Sequence, residues 1–261
     1  MNAGFDVSFG EVAAALALVA VAVAVSAGQR AHLEAEIGVA VLRSFVQLTA
    51  IGYVIAVIFE GDSLLLVIAL LAAMSVFGAL TARRRARSVP GALLPLVIAL
   101  TLAGAGTLAL VVAVGVFPAE ARFLVPVGGM VIGNSMTAAA VVLNRLGDDM
   151  ASSTARIEAA LALGATSKQA AGPLLRSSLR SGLIPLIDAT KTTGVIFFPG
   201  TMVGMLLAGA DPADAVRLQL VLLWVLLGSV AIAALVVVRL CYRNFFTSAH
   251  QLREAGGARS E

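Results

Sequence analysis

Few polar side chains in this sequence sit where they could act on a substrate, and most of those few fall inside long apolar stretches. Asp188 and Lys191 are three residues apart, so on a helix they share a face, with the acid N-terminal to the base, and can neutralise one another. A charge at the centre of a bilayer costs at least about 2.5–3.5 kcal/mol, so such groups need a partner or a purpose. Two readings follow: a local ion pair that only stabilises its helix, or the lining or gate of a polar route. Asn134 adds a polar group to a second apolar stretch, and Arg43, Gln47 and Thr49 to a third. Arg43 and Gln47 are one turn apart and predict a polar stripe facing a cavity or another helix. Arg43 also lies close enough to the end of its stretch to snorkel out of the membrane. Met130, Met136, Met202 and Met205 carry thioethers, which suit Cu(I) better than iron and in apolar helices usually fill space.

Other chemistries are excluded by what is scarce. One cysteine, Cys241, and two histidines, His32 and His250, allow neither an intramolecular disulfide nor a His/Cys metal cage. The lysines are Lys168 and Lys191, and neither follows a glycine, so the phosphate loop Gly-x-x-x-x-Gly-Lys is absent and ATP cannot bind by that route. The chain is 60% apolar and 13% charged, against roughly 45–50% and about 25% for soluble domains. An all-α integral membrane protein is the class this composition predicts. A net charge of only +3 argues against nucleic acid as a partner.

The elements that must hold these residues follow from hydropathy. A membrane helix needs about 20 mostly apolar residues, and seven stretches qualify: 11–27, 37–59, 63–82, 91–117, 123–146, 183–208 and 215–240. The first is not a secretory signal, because Asp6 and Glu11 precede and open it and no Lys or Arg does. Fourteen of the 18 basic residues lie in the segments after spans 1, 3, 5 and 7. The opposite segments hold Arg122 and Arg217 beside Asp6, Glu11, Glu60, Asp62, Glu120, Asp211 and Asp214. By the positive-inside rule the N-terminus is outside and the C-terminus cytoplasmic. Residues 1–252 form a single membrane domain, and 253–261 a disordered cytoplasmic tail. Pro185 and Pro199-Gly200 predict a kink or break in span 6. Gly129 with Gly133, and Gly200 with Gly204, make small-residue pairs that allow close helix contact.

Residues 147–182, between spans 5 and 6, are the one segment long enough to fold outside the membrane. Ser152 to Thr154 offer an N-cap, Ala155 to Leu163 favour helix, and Gly164 stops it. Thr166 and Gln169 form a capping box for a second short helix, which Gly172-Pro173 ends while opening the next. Glu158-Ala159-Ala160 with Gly164 resembles the EAA motif of ABC-transporter permeases, whose short helix docks into a groove on a cytoplasmic ATPase. The Ile-x-Leu-Pro that follows this motif in importer permeases is absent here.

Further motifs extend the resemblance: Leu42-Arg43-Ser44-Phe45-Val46-Gln47-Leu48; Val125 to Met136; Asp188-Ala189-Thr190-Lys191-Thr192; Pro199 to Gly204; and Tyr242-Arg243-Asn244-Phe245-Phe246 with His250-Gln251-Leu252. Together these resemble the FetB family of metal-resistance permeases, which includes bacterial iron exporters and plant aluminium-tolerance proteins. The resemblance implies a permease subunit of the bacterial inner membrane, not itself an enzyme and holding no cofactor. It also implies a homodimer driven by a separate ATPase subunit that binds the ATP, and export of iron or relief of metal stress. Arg156, Glu158, Ala159, Ala160, Gly164, Ala165, Thr166 and Gln169 would meet that ATPase. Arg43, Gln47, Asn134, Asp188 and Lys191 would line the path, where Asp188 and Asn134 are the harder oxygen donors for iron. No complete metal site is defined. The alternative is a channel or ion-coupled carrier that needs no ATPase, with Asp188 and Lys191 as its coupling pair. A non-transporting scaffold or sensor is a third reading.

Overall fold

The computed structural model describes residues 9–253 except Asp62, Arg87 and Ser248. Asp6 and, of the tail expected at 253–261, every residue but Arg253 lie outside the described residues; the Arg253 amide donates to Phe245 O at 2.8 Å. Among those described, regular structure is helical apart from two isolated β-bridges. The membrane-length helices are α1 (Phe9–Gly28), α2 (Glu34–Gly61), α3 (Leu64–Arg85), α4 (Leu93–Ala113) and α5 (Ala121–Ser152). Shorter or more polar helices follow: α6 (Thr154–Ala162), α7 (Ser167–Thr192) and α8 (Gly200–Leu207). A last membrane-length helix, α9 (Pro212–Cys241), runs into a single 3-10 turn at Tyr242–Phe245. Six helices are therefore long and apolar enough to cross a membrane, and the all-α membrane class expected from composition stands.

Local chemistry explains the helix ends. At α9, Asp211 Oδ1 accepts the Ala213 amide at 2.8 Å, Pro212 takes the first turn, and Arg239 lies in the last. Arg83, Arg84 and Arg85 close α3, where cations meet the negative end of the helix dipole. A five-residue π-helical segment, Leu102–Gly106, interrupts α4. There Gly104 lets Ile132 of α5 approach so closely that a Cβ would meet it at 3.0 Å.

Helix α5 is the central post, packed against α3, α7 and α9. One core cluster joins α3, α4, α5, α6, α7 and α9 at the arginine-rich end; a second joins α4, α5 and α9 at the other, with Ile58 of α2 and Val67 of α3. At 32 residues α5 is about 48 Å long, more than the roughly 30 Å hydrocarbon layer, and so must project beyond it. Helices α1 and α2 stand apart. They are joined by Ser26, whose Oγ donates to Glu34 Oε1 at 2.8 Å and accepts the Leu33 amide at 3.0 Å.

Three expectations change. The stretch 183–208 is not one helix: it breaks as Pro199-Gly200 predicts but not at Pro185, with helix ending at Thr192, Gly194 turning the chain at φ +83, and α8 starting at Gly200 with Pro199 as an extended N-cap. Gly172-Pro173 ends nothing, because α7 runs unbroken through Pro173 and Pro185. An interior proline loses a hydrogen bond and crowds the preceding turn. Here Ala171 and Leu174, on either side of Pro173, are buried in the core and hold the helix together. Nor do the expected small-residue pairs make the closest contacts: Gly133, Gly200 and Gly204 have open space around them. The tight approaches are Gly128, where a Cβ would collide with Leu71, Gly147, where it would collide with Ser88, and Gly182, where it would collide with Val142.

Candidate functional site

The expected helix, glycine turn and second helix between spans 5 and 6 form a tightly specified elbow. Only Ile157 of α6 is buried, anchoring it in the core with Leu161 packed beside. Glu158 and Ala159 are left facing outward and Ala160 half-buried. Arg156 is exposed and donates from Nη2 to Ser153 Oγ at 3.5 Å. The end of α6 is a Schellman turn: the Ala165 amide donates to Ala160 O and the Gly164 amide to Leu161 O, both at 3.0 Å. Gly164 lies at φ +88, a left-handed conformation that other residues adopt only with strain. The capping box then starts α7. The Thr166 amide donates to Gln169 Oε1 at 2.8 Å, and the Gln169 amide to Thr166 Oγ1 at 3.3 Å. The Gly164, Ala165, Thr166 and Gln169 amides around the turn are thus all met locally, which stiffens the corner.

Two features of the elbow were not legible in sequence. Leu163, at its tip, is 89% exposed. The segment after α9 folds back onto the elbow: Phe246 and Leu252 pair as an antiparallel bridge, and the Thr247 amide donates to Gln251 O at 2.8 Å. His250 Nδ1 and Ser167 Oγ, 83 residues apart, lie 3.0 Å from each other. Glu158, Leu161 and Ala165 share a cleft of about 360 Å³ with His250 and Leu252. No periodicity reports a contact between residues so far separated, and composition used His250 only to exclude a metal cage.

The polar residues within the helices are less assembled. Asp188 and Lys191 do pair, Nζ to Oδ1 at 3.2 Å, with their side chains 60% and 69% exposed. They lie one turn before α7 ends, where Thr192 and Thr193 hydroxyls donate to Asp188 O and Ala189 O. Asn134 is exposed on α5 and donates to Met130 O at 2.8 Å. Arg43 and Gln47 are exposed on α2 and hydrogen-bond to no described residue. Pro185 lies inside α7, while Pro199 and Gly200 sit at the break. Among the described residues no three His, Cys, Asp or Glu side chains gather as a metal cluster.

Comparison with known proteins supplies the lineage. The profile of an uncharacterised protein family, UPF0014, matches residues 9–246. The rice (Oryza sativa subsp. japonica) UPF0014 membrane protein STAR2 is 39% identical, over 93% of this chain and 85% of its own. Protein ALUMINUM SENSITIVE 3 of Arabidopsis thaliana is 38% identical, over 92% of this chain and 88% of its own. The Escherichia coli (strain K12) protein named Probable iron export permease protein FetB is 35% identical, over 92% and 93%. No solved structure matches. The chain belongs to the UPF0014 family.

Proposed function

From membership of that family, we propose that the chain is the membrane-spanning permease subunit of an ABC transporter, powered by a separate ATPase and exporting iron or relieving metal stress. In this reading residues 1–252 are one permease domain, and the chain crosses the bacterial inner membrane seven times. The seventh crossing is made jointly by the second half of α7, residues 193–199 and α8. The arginine-rich end is cytoplasmic and the N-terminus outside. Two copies pair, each with its own ATPase subunit, and ATP is bound by that subunit alone.

One observation carries the proposal: the elbow and the Asp188/Lys191 pair belong to a single uninterrupted helix, α7. From Thr166 to Asp188 is 22 residues, or roughly 33 Å of rigid rod. ATP binding closes the ATPase pair and pushes on α6 through Arg156, Glu158, Ala159 and Ala160. The stiff corner at Gly164, Ala165, Thr166 and Gln169 passes the push to α7 without absorbing it. Motion reaches the membrane at the pair, and the non-helical residues 193–199 absorb it as a hinge. Asp188 and Asn134 offer oxygen donors to a passing hard cation, and Arg43 and Gln47 complete the polar lining.

The test is reconstitution with the neighbouring ATPase subunit in vesicles loaded with iron. ATP-dependent efflux is expected, and loss of ATPase co-purification on Glu158→Lys or Gly164→Val. Efflux from liposomes holding this chain alone sinks the proposal in favour of an ion-coupled carrier working through Asp188 and Lys191; no flux under either condition favours a scaffold.

A further inference from the structure

A second cleft, of about 510 Å³, opens between α7 and α9 at the arginine-rich end. Four cations line it: Lys168 and Arg176 from α7, Arg239 from α9 and Arg243 from the turn after it. No carboxylate lines it, and among the described residues none of the four forms an ion pair. Arg122, Arg145, Lys191 and Arg217 have acidic neighbours within 3.2 Å, whereas Arg30, Arg83, Arg85, Arg156 and Arg180 form no ion pair among the described residues either; what sets the four apart is that they line one cleft with apolar walls.

The walls are graded. Lys168, Gly172, Leu175 and Leu179 recur every three or four residues, one face of α7; Leu235 and Val238 of α9 and Tyr242 of the turn after it do the same. The two helices run in opposite directions, so Lys168 and Arg243 lie at one rim, Leu179 about a turn deeper than Arg176 and Leu235 about a turn deeper than Arg239, while Leu175 is level with Arg176. Gly172 keeps the rim open: the Arg176 guanidinium lies back over it, its Nη1 3.7 Å from where a Cβ would stand.

We infer that this cleft binds a membrane phospholipid with an anionic headgroup, its phosphate held by the four cations and its acyl chain lying along Leu175, Leu179 and Leu235. A soluble anion satisfies only the rim; an amphiphile satisfies both parts. Basic pockets between membrane helices at the headgroup level take such lipids, and each cation near an anionic surface is worth about a five-fold gain in binding. The inference does not depend on what the protein transports.

The test uses the purified, delipidated chain in detergent, titrated with cardiolipin, phosphatidylglycerol or phosphatidylcholine and read by native mass spectrometry. Anionic lipid is expected to bind at least ten-fold more tightly than phosphatidylcholine. The triple variant Arg176→Gln/Arg239→Gln/Arg243→Gln should lose about 100-fold in affinity. A control triple with the same charge change, Arg30→Gln/Arg83→Gln/Arg85→Gln, should change it less than about three-fold. Gly172→Leu keeps every charge but fills the cleft, and should cost about ten-fold; it serves, with the single Arg239→Gln, if the triple does not fold. Equal losses from both triples mean diffuse attraction and overturn the inference. So does displacement of the lipid by millimolar glycerol phosphate, which marks a soluble-anion site, or binding that requires the ATPase subunit.

Discussion

Gly164 and Gly182 are both glycines at helix corners or contacts, yet they resist substitution for different reasons. Around Gly164 there is open space, and its constraint is the backbone angle of φ +88. Gly164→Ala should therefore cost about 1–2 kcal/mol as local strain only. Hydrogen exchange at the amides of 163–167 should quicken about 5- to 30-fold, with global unfolding unchanged. Gly182 has ordinary helical geometry but faces α5, where a Cβ would collide with Val142 and reach Ala138 O at 3.0 Å. Gly182→Val should separate α5 from α7 and lower the thermal midpoint in detergent by several degrees, while leaving exchange at the elbow alone. The first of these was legible in sequence and the second was not. A glycine stop and a capping box are written within a few neighbouring residues. The need for glycine at 182 is set by Val142, forty residues away on another helix.

At the scale of elements, hydropathy located six long helices because a membrane demands the same length of each. It misread the region after them, since proline is a strong local signal and Gly172-Pro173 looks like a stop. What overrides it is the burial of Ala171 and Leu174, a tertiary fact. On the proposed mechanism the consequence is mechanical, because an unbroken α7 would transmit force that two jointed helices would dissipate. Leu186→Gly/Ile187→Gly softens α7 between the elbow and the Asp188/Lys191 pair, each glycine costing roughly 0.5–1 kcal/mol of helix stability. The variant should still bind and stimulate the ATPase subunit, while ATP-driven flux falls at least ten-fold per ATP hydrolysed. Flux and hydrolysis falling together would show that α7 is not the transmitting rod.

For the molecule as a whole, the N-terminal hairpin is the part left incomplete. Ile58 is the buried residue of α2, and Arg43 and Gln47 project from its other half with no partner among the described residues. In lipid the Gln47 amide, near the middle of α2, would carry a desolvation cost of about a kcal/mol or more, while Arg43 lies nearer the helix end and can snorkel. A second copy meeting α2 to α2 would remove the glutamine's cost, since each Gln47 amide can both donate and accept across the symmetry axis. The single cysteine, Cys241, is fully buried in the core at the end of α9, so alanine rather than serine is the replacement that gives a clean background without burying a hydroxyl. In that background Gln47→Cys should form a disulfide-linked dimer in native membranes on mild oxidation. Leu18→Cys, on the exposed outer face of α1, should not. Cross-linking through position 18 with none through 47 would place the second copy on α1 instead.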